Sequence, residues 1–112
     1  MKNIIPLILI FLFVINVGCM QSVRYSEEEI KNFPPDIQEH IRKGEITLGM
    51  TPSQVRFSWG PPNSLRVLEP SEDGKNRDEW VYKNLGGILQ TRIIFTDGRI
   101  TEIITNDPQV KK

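Results

Sequence analysis

The stretch ILQTRIIFTDGRITEIIT, residues 88–105, decides the fold. Apolar and polar residues alternate on both sides of Asp97-Gly98. An Asp-Gly pair between two such runs is the strongest short-range signal for a hairpin with a two-residue loop. That loop sets the register, so Thr96 faces Arg99 and Phe95 faces Ile100. Under strict period-two alternation one side carries Leu89, Thr91, Ile93, Phe95, Ile100, Glu102 and Ile104, and is expected to be the core face. The other side carries Gln90, Arg92, Ile94, Thr96, Arg99, Thr101 and Ile103. A slip of one residue would exchange the two faces.

Working outward, Asn84 to Gly87 reads as a turn. Asp78 to Lys83 contains Trp80-Val81-Tyr82, all good strand formers. Glu69 to Arg77 is polar, holds Pro70 and Gly74, and reads as a loop. Ser64 to Leu68 is the remaining strand candidate. Before it lies a helix specified at both ends. Thr51 can cap, Pro52 fits the first helical position and Gln54 stands at the third. Val55 and Trp59, four apart, share a face, and Gly60-Pro61-Pro62 stops the helix at 59. A second helix is predicted over 36–43, with Ile37 and Ile41 on one face and Gly44 just past its end. Ser26-Glu27-Glu28-Glu29 reads as a capping box opening a short helical turn. The pattern predicts an α+β domain with short helices on one face of a small antiparallel sheet of three or four strands.

The front of the chain differs in character. Thirteen of residues 1–18 are apolar, with Lys2 as the only charge, against an average of 38 % over all 112 residues. The run from Ile4 to Ile15 is too short to span a bilayer and fits the apolar region of an export signal. There is no alanine in the chain, so the Ala-x-Ala cleavage pattern is absent. Gly18-Cys19 resembles the lipobox of bacterial lipoproteins, with Asn16 standing where the pattern prefers an aliphatic residue. That resemblance implies cleavage before Cys19, acylation of its thiol and amine, and stable anchoring by two or three acyl chains. Met20 in place of Asp leaves export to the outer membrane open. The expected organisation is therefore a signal peptide over 1–18, a lipidated tether over 19–25, a domain over 26–107 and a frayed tail over 108–112.

Composition excludes several function classes. Fourteen Lys and Arg balance fourteen Asp and Glu, and nucleic-acid binders normally carry a basic excess. One cysteine allows neither an internal disulfide nor a paired-cysteine metal site. His40, the only histidine, lies in a polar helical segment. The serines carry no nucleophile motif, Glu27-Glu28-Glu29 reads as a solvated helix start, and Gly86-Gly87 is not followed by a phosphate-binding helix. No catalytic residue, metal site or cofactor is expected.

Four motifs in order then acquire weight together: Gly49-Met50-Thr51-Pro52-Ser53-Gln54-Val55, Trp59-Gly60-Pro61-Pro62, Trp80-Val81-Tyr82, and Ile94-Phe95-Thr96-Asp97-Gly98-Arg99-Ile100. Behind a lipobox, this series resembles the SmpA/OmlA (BamE-like) lipoprotein domain over about residues 40–105. The resemblance implies two helices on an antiparallel sheet, and structural roles for the motif residues. Gly49 and Met50 would lead into the helix with Met50 inward. Val55 and Trp59 would lie on the sheet, and Gly60-Pro61 would redirect the chain. Trp80, Tyr82 and Phe95 would fill the helix–sheet seam, and Gly98 would close the hairpin. It implies a non-catalytic protein-binding module in outer-membrane protein assembly or envelope integrity, anchored in the membrane through Cys19 and facing the periplasm. Its partners would be envelope proteins, the β-barrel assembly machinery among the candidates, and no nucleic acid. The alternative is a lipoprotein inhibitor or ligand-binding domain acting on a secreted target. The expected contact surface is the second sheet face, Arg92, Ile94, Arg99 and Ile103, with the charged 69–77 loop.

Overall fold

A computed structural model describes residues 24–111; the export-signal and Cys19 expectations fall outside them. Three short helices precede four strands: α1 (Glu27–Ile30), α2 (Pro35–Arg42), α3 (Pro52–Trp59), β1 (Ser64–Leu68), β2 (Arg77–Asn84), β3 (Leu89–Thr96) and β4 (Arg99–Thr105), with a 3₁₀ turn at Leu85–Gly87. The strands form one antiparallel sheet in the order β1-β2-β3-β4. This is the α+β class expected from the patterning.

The helix ends follow their local chemistry. Ser26 and Thr51 each accept from the backbone N–H three residues on, and Glu29 and Gln54 return the bond to the cap backbone. Two capping boxes therefore satisfy amide donors that a helix start leaves orphaned. At the end of α3 the chain turns at Gly60 with φ at 81°, a conformation that glycine adopts without steric cost. Asp97 and Gly98 both have positive φ, 54° and 78°, as a type I′ hairpin turn requires.

One apolar cluster joins the layers. Ile30 from α1, Ile41 from α2, Ile46 and Met50 from the α2–α3 connection and Val55 from α3 pack against Trp80, Ile93, Phe95, Ile100 and Ile103 of the sheet. Trp80 meets Phe95 edge-on at 4.9 Å between ring centroids, and Trp59 meets Tyr82 edge-on at 5.0 Å. Both polar handles are used. Trp59 Nε1 donates to the Gly44 carbonyl at 2.8 Å and the Tyr82 hydroxyl to the Gly60 carbonyl at 2.7 Å. Burial of that hydroxyl pushes the Tyr82 pKa up to about 12, against the opposing charges of Arg56 and Arg24. Met50, Val55, Trp80 and Phe95 are buried, with Trp59 and Tyr82 at the margin of the core.

Tyr25, expected in the tether, and Val110, expected in a frayed tail, both pack against the core. Asp107 organises the tail as a turn, its carboxylate accepting from Gln109 N–H and its carbonyl from Val110 N–H. An apolar residue close to a terminus gains enough from burial to order the few residues around it.

The expected β4 face assignment is corrected beyond Thr101. Phe95 pairs with Ile100 as predicted, but Ile94 pairs with Glu102, so Thr101 is an extra residue, a β-bulge. Beyond the bulge the faces are exchanged. Ile103 sits opposite Ile93 in the core, while Glu102 and Ile104 pass to the outer face. Strict alternation would have put the Glu102 carboxylate among the core isoleucines, an expensive burial that the bulge avoids.

Candidate functional site: the outer sheet face

The face of the sheet turned away from the helices was the expected contact surface, and its four named residues meet four different fates. Ile103 is in the core, for the reason just given. Ile94 does lie on the outer face, between Glu79 of β2 and Glu102 of β4. It is only 3 % exposed and so offers a partner almost nothing. The Thr101 hydroxyl reaches back over this region, 2.8 Å from Thr96 Oγ1 and 3.4 Å from the Ile94 carbonyl. Arg99 turns to the sheet edge, where its Nη1 donates to the Gly49 carbonyl at 2.9 Å. There Gly49 N–H donates to the Ile100 carbonyl and Ile100 N–H to the Met50 carbonyl, both at 2.9 Å. The Gly49-Met50 motif thereby covers part of the open edge of β4, which is one way a fold blunts an exposed strand.

Of the four, Arg92 alone stays on the open face as a charged group, and it is paired. Its Nε donates to Glu79 Oε2 at 2.8 Å, and Arg66 of β1 holds Glu79 Oε1 at 3.0 Å. The Glu79 side chain is 5 % exposed between two arginines that keep substantial contact with solvent. The hydrogen bond from Arg92, more than the charge of Arg92 or Arg66, holds the Glu79 carboxyl below the ordinary carboxylate value, and this outweighs the upward push of burial. The result is an Arg66–Glu79–Arg92 ladder across three strands with one positive charge in excess. Sequence patterning named Arg92 and missed Glu79 and Arg66. Glu79, beside Trp80 in a period-two strand, was the available signal.

The 69–77 loop is a hydrogen-bonded turn. Ser71 N–H donates to the Lys75 carbonyl, Gly74 N–H to the Ser71 carbonyl, and Asp73 pairs with Ser71 and Lys75. Asp97 N–H donates to the Asn76 carbonyl, joining the loop to the β3–β4 hairpin.

Elsewhere a cleft of about 480 Å³ is lined by His40, Glu45, Leu48, Trp59, Asn84 and Val110, among others. His40 Nδ1 lies 3.0 Å from Glu45 Oε1. Ser58 of α3 donates to the Glu45 carbonyl at 2.6 Å and so is committed to structure. Among the described residues no group of three or more His, Cys, Asp or Glu is placed to hold a metal ion, and no helix is long and apolar enough to cross a membrane.

Comparison with family models, with curated proteins and with solved structures yields no match for this chain.

Proposed function

We propose that this chain is a lipid-anchored bacterial envelope protein, a non-catalytic protein-binding module of the SmpA/OmlA (BamE-like) type serving outer-membrane protein assembly or envelope integrity. The observation that carries the reading is positional. The only cysteine ends an apolar run of export-signal length, and the four motifs follow behind it in order. The Arg66–Glu79–Arg92 ladder, with Ile104 and Gln90 beside it, is the part of the sheet open to a partner.

Two measurements test this. Cys19→Ala should abolish acyl labelling and leave the precursor uncleaved; a persisting labelled band overturns the lipoprotein assignment. Cross-linking mass spectrometry on intact envelope should recover β-barrel assembly components on the ladder face. Recovery of a soluble hydrolase in their place would favour the inhibitor alternative.

A further inference from the structure

Leu85 and Ile88 are large apolar side chains left 69 % and 73 % exposed, and they share the turn joining β2 to β3. Neither joins the core. Leu85 also holds φ at 52°, one of two non-glycine residues at positive φ among those described. That conformation disfavours any residue with a Cβ. The other such residue, Asp97, is needed for the hairpin turn, whereas Leu85 displays an apolar side chain to water in a disfavoured conformation. Nothing inside the domain repays either cost.

The place of this turn supplies an occupant. Lys83 and Asn84, which lead into it, line an open cavity of about 360 Å³ together with Arg24. Arg24 is the first described residue, and Cys19 stands five residues before it. Five extended residues reach roughly 17 Å, so an anchor at Cys19 holds this end of the sheet within reach of the lipid headgroups. On the other side Ile88 and Ile104 line a shallow cavity with Arg92, which carries the apolar surface onto the outer face. Arg24 and Lys83, which line that cavity, bring to this end of the sheet long cationic side chains that can keep their heads in water while their stems lie along apolar surface.

We infer that Leu85 and Ile88 enter the interfacial layer of the membrane that carries the anchor, as a second, non-covalent foot. The inference rests on the lipid-anchored reading above. Interfacial binding grows with the apolar area buried, so two side chains add little affinity beside acyl chains. What they add is orientation. They turn the β2–β3 end of the sheet toward lipid and leave β1, with its exposed Val67, directed away from it. Val67 pairs with Asp78, six residues along β2 from Asn84, which is roughly 20 Å at strand rise.

The test uses the full-length purified protein in phosphatidylcholine vesicles, with L85C, I88C or V67C carrying an environment-sensitive fluorophore. Ile88 has an ordinary helical φ of −66°, so I88C keeps the test valid should Leu85 tolerate no substitution. Spin-labelled lipid should quench the probe at 85 and 88 and leave it bright at 67. Probes at 85 and 88 that stay as bright as the one at 67, or equal quenching at all three, overturn the inference. The mass of the chain before labelling reports acylation. An unacylated chain would overturn the anchor reading alone, since its free Cys19 thiol would also take the label, and bright tips on an acylated chain would overturn the tip alone.

Discussion

Glu79 is the residue whose chemistry depends most on its neighbours. Its carboxyl is held below the ordinary value of 4.5, first by the Arg92 hydrogen bond and then by the charges of Arg92 and Arg66. A carboxylate with a depressed folded-state pKa contributes stability that is fully present above the unfolded value and is lost as pH falls through the lower folded one. Glu79→Gln should therefore lower the Tm at neutral pH, where it leaves the two arginines without a counter-charge. The gap to the native chain should narrow as pH falls below 4.5. Thermal unfolding followed from neutral pH into acid checks this, and a gap that stays constant would show that the ladder carries no linked proton.

At the scale of elements, α3 is specified by residues within it. Thr51, Pro52 and Gln54 open it, and Gly60 closes it at the residue expected from the sequence. Replacing Thr51 by alanine should cost about 1 kcal/mol, read as a lower urea midpoint with an unchanged slope. α2 was legible to within a residue, Pro35–Arg42 against an expected 36–43, since helix ends are set by a cap and a Gly at C′ whose effects blur over one position. The β3–β4 hairpin was legible through its turn and first pairs and not beyond. Alternation assumes one residue on each strand per rung, and the extra residue at Thr101 breaks that assumption. Of the candidate surface, Arg92 was legible as an outward charge. Its Glu79 and Arg66 partners come from two other strands, and no local pattern announces a cross-strand triad.

At the scale of the whole molecule, both ends of the described residues pack against the domain. Tyr25 and Val110 both lean on the core, so truncation after Asp107 should cost about 1 kcal/mol, as expected for a partly buried valine; chemical denaturation of the shortened chain measures it. The sequence by itself determined the fold class, the α3 caps, the Asp97-Gly98 turn and the inward place of Phe95. These depend on interactions within a few residues or on periodicity along one element, which a linear reading can register. Only the tertiary structure decided which β4 isoleucine is buried and that Ile94 is covered on the outer face. Tertiary placement also tied Arg99 to Gly49 and left Leu85 and Ile88 exposed at the β2–β3 turn. Those outcomes come from strand pairing across the sheet, where one unpaired residue exchanges every face beyond it and brings together groups far apart in the chain.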